Sequence, residues 1–542
     1  MKKANLLVFV LLAVAGSPVS AAQDGGLVSK IDPIFQSPDD TKAPGYAVAI
    51  VENGKVVFQK GYGLASLEYE VPFTPETAFN TASLSKQFTG LAISLLVQDG
   101  KVDLDQDIRT YVPAVPAFGK EKITVRQLLH HTSGIRDCYD VLGTAGWRWN
   151  DTFTYDDCMQ VAISLKAPAF APGTRYSYSN TEYVLLQAIV AAVTGKSFPA
   201  WATENVFKPI GMNSTFFVDD RTRIVMNPAA PYSRKEDGFH KDIQQNSGVY
   251  MLSTLRDLSK WAIHFNERLA AKDPVYTRMV EPGRLGDGKE VPYGFGLMLG
   301  QDRGQDMVFH TGAWGGYRAN IRNYPGLRLS IIALSNTGDN DMNGKKVPQV
   351  AALFLKESTE PAGKAGTIKD APTVKADPAV LKRYAGTYRW NEDAITIALA
   401  DGRLMVQYLG EDAVPAEAKS DSEFWVPAFR TPISFAKEQG DNAYSLTFRS
   451  VKGEKVATFL PNRLDAYSGA YYSEELTTAY KVDAKDGKLR IHHFRRGDWE
   501  LLPHPAYQDR FTSEMGVVQF VRNGSGSVTA LELSGLRFAR NL

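Results

Sequence analysis

From Gly45 the chain alternates apolar and polar positions, GYAVAIVENGKVVFQKGYG, on both sides of Asn53-Gly54. A period of two sends successive side chains to opposite faces of a strand, and Asn-Gly accepts the positive φ angles of a two-residue turn, so the stretch predicts an antiparallel hairpin. The period then changes. Between Ser83 and Gln98 the apolar residues Leu84, Phe88, Leu91, Ala92, Leu95 and Leu96 fall at helical spacing, with Gly100 placed to end the helix. Helices are also predicted at TEYVLLQAIVAAVTG and TLRDLSKWAIHFNERLAA, strands at DMVFHTG, GYRANIRNYPG and LRLSIIALSN, and a last helix near VPQVAALFLKE. Hairpin, helical middle, returning strands and closing helix predict an α+β domain in which helices flank an antiparallel sheet.

Residues 358–377 have the small, charged and proline-bearing composition of a linker. Beyond them the chain repeats itself: YAGTYRWNEDAITIALADGRLMVQ from Tyr384 aligns with YSGAYYSEELTTAYKVDAKDGKLRIH from Tyr467, and Phe424 and Phe435 find counterparts in Phe511 and Phe520. Both copies read as short alternating strands with glycine-bearing turns, which predicts two small antiparallel, lipocalin-like barrels over 378–460 and 461–542. Trp390, Trp425 and Trp499 are expected in their cores. The hydrolytic chemistry considered below falls in residues 23–357.

The first 22 residues join Lys2 and Lys3 to the apolar run NLLVFVLLAVA and then to small residues that would allow cleavage after Ala21 or Ala22, a pattern that predicts a secretory signal and a periplasmic or secreted protein. The run is too short to span a bilayer and no later window approaches the length of a membrane helix, so stable membrane insertion is not expected. Basic and acidic residues balance, 61 against 60, without long blocks of either sign, which leaves nucleic acid no electrostatic footprint. Cys138 and Cys158 are the only cysteines, too few for a zinc cluster. An oxidising compartment permits a disulfide between them; the alternative is two separate thiols, Cys158 lying in a helix that begins near Thr154.

Three short motifs bear on chemistry. Ser83 and Lys86 form Ser-x-x-Lys at a helix start, so both side chains leave the same face and a desolvated lysine can lower the cost of deprotonating the serine. The pattern alone is weak, since Ser434 and Lys437 repeat it inside a predicted strand, and a capping serine beside a solvated lysine is the ordinary reading. Tyr178 and Asn180 form the only Tyr-x-Asn, just before a helix, where a phenol can shuttle protons and an amide can orient a lysine and hold a substrate carbonyl. His310, Thr311 and Gly312 form the only His-x-Gly, on a strand that could aim the Ala313 N–H, with that of Ser83, at a developing oxyanion.

TASLSK, YSN and HTG, in that order, resemble the three motifs of the penicillin-recognising serine hydrolases, and the chain is most similar to the class C β-lactamase and D-aminopeptidase branch. LLHHTSGI, YGFGL and IIALSN extend the resemblance over about residues 30 to 357. It implies a class C β-lactamase-like fold, with Ser83 as acylated nucleophile, Lys86 and Tyr178 as the proton-transfer pair, Asn180 and the His310–Ala313 segment as substrate ligands, and the Ser83 and Ala313 amides as oxyanion hole. It implies no metal or organic cofactor. His130 and His131 match a loop phrase of the family and are assigned no chemistry.

The chain departs from the family at His310, where β-lactamases and D,D-peptidases usually carry a lysine that helps hold a substrate carboxylate. Histidine is mostly neutral at pH 7, which favours esters, amides or peptides with a free amine. Arg318 and Arg322 could restore positive charge there. The expectation is an exported serine hydrolase acting through an acyl-enzyme on a small-molecule or short-peptide substrate, as a D-aminopeptidase or amidase, or as an esterase. The alternatives are a β-lactamase or D,D-carboxypeptidase, and a non-catalytic peptide- or cell-wall-binding protein. In the D-aminopeptidase arrangement, which the two-barrel tail resembles, the tail restricts the entrance to the site.

Overall fold

A computed structural model describes residues 25–36, 42–355 apart from 221, 243, 244, 248, 249 and 340, and 371–541 apart from 409–411, 430, 439–443 and 450. The expected signal segment and most of the expected linker lie outside these residues. The hairpin forms as β1 (Tyr46–Glu52) and β2 (Lys55–Tyr62), with Asn53 and Gly54 at φ 51° and 77° in the turn. It joins a meander of β3 (Met298–Asp302), β4 (Gln305–Trp314), β5 (Tyr317–Tyr324) and β6 (Leu329–Ser335) in one antiparallel sheet of order β3-β4-β5-β6-β1-β2. Tyr46 pairs with Ser335 and Glu52 with Leu329, so the first and last strands of the domain close its centre.

Both faces of the sheet are covered, which is why β1 is apolar and buried from Ala47 to Val51. Val48 and Ile50 pack with Ile31 and Phe35 of α1 (Gly25–Phe35) and with Val347 and Val350 near the carboxyl end of the domain. Ala47, Ala49 and Val51 face the larger core, built around α2 (Lys86–Gln98), where Phe88, Leu91, Ala92 and Leu96 are fully buried. Three further helices matter for the site: α3 (Cys138–Thr144), α4 (Tyr155–Ser164) and α5 (Asn180–Thr194). A disulfide joins Cys138 to Cys158, with Cα atoms 5.1 Å apart, and ties the start of α3 to α4.

The two tail modules share one plan. Tyr388 donates its hydroxyl hydrogen bond to the Tyr384 carbonyl at 2.9 Å, and Tyr471 does the same to Tyr467 at 2.6 Å. Tyr384 stacks on Phe435 at 4.1 Å, and Tyr467 lies 4.8 Å from Phe520. The first module is a nine-stranded antiparallel sheet with its own core, while the second is a closed eight-stranded barrel. Trp390 and Trp425 are buried as expected, whereas Trp499 is half-buried beneath the Arg496 guanidinium. The core of the closed barrel runs on into the core of the hydrolase-like domain. Tyr480 donates to the Thr144 carbonyl at 2.9 Å, and Arg136 to the carbonyls of Ser534 and Gly535. Among the described residues no single helix is long and apolar enough to cross a membrane.

Candidate active site

Ser83 sits in a tight turn, Ala82–Ser85, that leads directly into α2. Ala82 takes the left-handed conformation at φ 48°, held by its N–H donating to Asn80 Oδ1 at 2.9 Å. For a residue with a Cβ this costs on the order of 1 kcal/mol, and the turn it makes presents Ser83 to a cleft. One turn on, Lys86 is buried with its Nζ 3.2 Å from Ser83 Oγ and 2.7 Å from Asn180 Oδ1. Ser434 and Lys437 lie on one strand three residues apart, so their side chains leave opposite faces and form no such pair.

The other motifs arrive from different elements. Asn180 is the first residue of α5, and Asp137 Oδ2 accepts both its backbone N–H at 2.5 Å and its side-chain amide at 2.7 Å. One of the two amide hydrogens that could have held a substrate carbonyl is therefore turned towards Asp137. Gly312 on β4 lies so close to the Thr81 carbonyl that a Cβ would stand 2.1 Å from its oxygen. Only glycine permits that approach, which brings Ala313 to the Ser83 turn, and both residues line the cleft. Tyr178 lines it too, with the Lys86 Nζ 4.9 Å from its ring centroid.

The cleft, about 510 Å³, is completed by Asp137, Tyr139, Asp140, Trp149, Trp314 and Arg318. Burial lowers the Lys86 pKa to about 7, against the pull of Asp137. Burial pushes the Tyr178 phenol well up, with the Ser83 hydroxyl working in the opposite direction, so Tyr178 keeps its proton. Burial, helped by Asp137, raises Asp140 to about 6.

His310 is placed otherwise than the sequence suggests. It is 1% exposed and lies behind the cleft wall; its Nδ1 faces the Thr311 carbonyl at 2.6 Å and its Nε2 the Tyr293 hydroxyl at 2.9 Å. Burial, with a contribution from Lys86, lowers its pKa to about 3. It is a neutral wall residue, not a carboxylate anchor, and neither it nor Thr311 nor Gly312 is among the residues that line the cleft. Of the two arginines, Arg318 brings its positive charge to the cleft wall, whereas Arg322 is paired with Asp302. Arg318 donates to the carbonyls of Gly315, Tyr317 and Gly338, and Arg322 to Asp302.

Sequence reasoning passed over Asp137 and Glu182. Asp137 carries the signal of a helix cap, which it is, accepting from the Tyr139 N–H at 2.9 Å; its second grip, on Asn180, is a tertiary contact. Glu182 falls at helical spacing with Leu185, Leu186 and Ile189, so a charge on an apolar stripe was the available sign, and the residue is fully buried.

The beta-lactamase family model matches residues 31–356. A D-aminopeptidase of Gluconobacter oxydans is 27% identical over 529 residues, covering 92% of this chain and 95% of that one. Among solved structures, an octameric penicillin-binding protein homologue from Pyrococcus abyssi superposes with a TM-score of 0.55 at 24% identity, over 80% of this chain and 99% of its own. A D-amino acid amidase from Ochrobactrum anthropi complexed with D-phenylalanine gives 0.51 at 23% identity, over 61% and 99%. These two structural likenesses speak for the fold.

Proposed function

Since this chain belongs to the beta-lactamase family and is a serine hydrolase, we propose that it cleaves amide bonds carboxyl-terminal to a D-residue with a free amine, through an acyl-enzyme on Ser83. The observation that carries the reading is the contact of Lys86 with Ser83 and Asn180 in a cleft whose wall sets two acidic side chains, Asp137 and Asp140, beside the single guanidinium of Arg318. Lys86, half deprotonated near neutrality, takes the Ser83 proton as Oγ bonds to the substrate carbonyl carbon. Tyr178 relays that proton, giving its phenolic hydrogen to the departing amine as it receives the one Lys86 took, so that Lys86 ends neutral and Tyr178 protonated, and water then repeats the sequence in reverse to free the acid. The N–H groups of Ser83 and Ala313 hold the oxyanion, each such donor being worth about 3 kcal/mol in the transition state.

Asp137 and Asp140 give a substrate ammonium two acidic partners on a wall that also carries Arg318, and the neutral, buried His310 offers no charge to a substrate carboxylate. The likeness to the D-aminopeptidase of Gluconobacter oxydans points the same way. We also propose export, supported by the amino-terminal pattern and by the Cys138–Cys158 disulfide, a bond that persists in oxidising compartments. The test compares kcat/KM for D-alanine p-nitroanilide, its L-isomer, its N-acetylated form, p-nitrophenyl acetate and penicillin G. The reading expects the free D-amine to exceed its L- and N-acetyl counterparts by about 100-fold or more. Ester turnover alone, or rapid penicillin hydrolysis, would replace it with an esterase or a β-lactamase.

A further inference from the structure

The double histidine of LLHHTSGI has no part in the steps above, yet its second member is built into the site. His131 is fully buried, with a left-handed backbone at φ 56°. It grips the segment around Tyr178 on both sides: its carbonyl accepts the Ser177 N–H at 2.8 Å and its Nδ1 accepts the Ser179 N–H at 3.2 Å. Its ring centroid lies 4.3 Å from that of Tyr178. From α5, the fully buried Glu182 brings Oε2 to 2.5 Å from the same Nδ1, while its Oε1 accepts from the Ser133 N–H at 3.2 Å and hydroxyl at 2.5 Å.

The protons can be placed from the donors. A backbone N–H can only donate, so we assign Nδ1 facing Ser179 as an acceptor and the hydrogen of the 2.5 Å contact to the carboxyl oxygen, the two donors sharing the single lone pair of Nδ1. Glu182 is then a neutral carboxylic acid, and His131 holds its own proton on Nε2, a buried atom with no hydrogen-bond partner among the described residues. Burial acts in the same sense on both groups, pushing the Glu182 carboxyl well up and the His131 imidazole well down. The titratable groups that face the pair from the surrounding elements are Lys86, Asp137, His130 and His310, with the phenols of Tyr176, Tyr178, Tyr183 and Tyr293. Only Lys86 would carry positive charge near neutrality, and an ionised Glu182 would hold that charge in place, since it raises the lysine pKa.

We propose that His131 and Glu182 are positioning residues of the acylation site, a neutral imidazole–carboxylic acid pair that clamps the Tyr178 segment beside Lys86 without touching substrate. The role rests on the reading of Ser83 and Lys86 as the acylating pair. Glutamine at 182 preserves a neutral donor towards His131 and an acceptor towards Ser133, whereas alanine preserves neither.

The test is the rate at which a fluorophosphonate labels Ser83 in the full chain, as a function of pH. Glu182→Ala is expected to label about 50-fold more slowly than the unaltered protein. Glu182→Gln is expected to recover to within about fivefold, with its pH midpoint in place. A folded Glu182→Gln that stays as slow as the alanine variant, or whose midpoint falls by about one unit, would reveal an ionised carboxylate and overturn the proposal. Labelling of Glu182→Ala at the unaltered rate would overturn it as well. Should that variant not fold, nitrogen NMR of the unaltered protein with isotope-labelled histidine decides: the neutral Nε2–H tautomer of His131 is expected to persist from about pH 5 to 8, and a doubly protonated ring would contradict it. Failure of the acylation reading is separately visible, as an unaltered protein that does not label.

Discussion

Asp137 holds Asn180 by two hydrogen bonds to one carboxylate oxygen, and that grip turns Asn180 Oδ1 to within 2.7 Å of the Lys86 Nζ. The other oxygen of Asp137 caps α3, so a single side chain fixes the starts of two helices at the cleft. Asp137→Ala frees the carboxamide to rotate and removes an anion that raises the Lys86 pKa. We expect kcat to fall by roughly 10- to 100-fold and the acidic limb of kcat/KM to move to lower pH, as read from steady-state rates across a pH series.

The pH dependence of acylation follows from Lys86, which burial holds near 7. Because the neutral amine is the base, kcat/KM should rise about tenfold per pH unit below that value and level off above it. Stability carries the opposite face of the same shift. Between about 7 and the ordinary lysine value of 10.5 the unfolded chain binds a proton that the folded one does not, so this residue's contribution to stability grows as pH rises through that window. Lys86→Arg, permanently charged, should lower kcat by at least about 1,000-fold.

His310 stands close enough to Lys86 for the two charges to oppose each other. His310→Lys places a second amine in that field, so the acidic limb of kcat/KM should shift downwards, and acylation by penicillin G should accelerate if the absent cation is what disfavours carboxylates. An unmoved limb together with unchanged penicillin acylation would remove the electrostatic account of this departure.

The disulfide follows Asp137 directly in the chain and spans a separation of 20 residues. Replacing Cys138 and Cys158 together by serine should cost about 3 kcal/mol, measured as a denaturant midpoint, and should lower kcat more than it raises KM, because the end of α3 that carries Asp137 loses its tether to α4.

Much of this architecture was legible in residue patterns because local physics sets it. The Asn53-Gly54 turn, the helical stripe from Leu84 to Leu96 and the repeated tyrosines at 384 and 467 all reappear as structure. The pairing of Ser83 with Lys86 needed only one helical turn. What stayed hidden depends on contacts distant in sequence: Asp137 reads as a cap until α5 is set against it, and Glu182 reads as a misplaced charge until His131 is beside it. His310 misled for the same reason, since its motif says nothing of Tyr293, which occupies its Nε2. The docking of the closed barrel through Arg136 and Tyr480 was likewise not readable from either partner alone.

The central claim is that Ser83 is acylated during turnover. The most direct measurement is rapid-quench intact mass, with peptide mapping, of the full chain reacting with p-nitrophenyl acetate and with D-alanine p-nitroanilide. The account predicts an acyl adduct confined to the peptide carrying Ser83, formed at least as fast as product is released and absent from Ser83→Ala along with turnover. Hydrolysis that persists in Ser83→Ala, or an adduct on another residue, would contradict it.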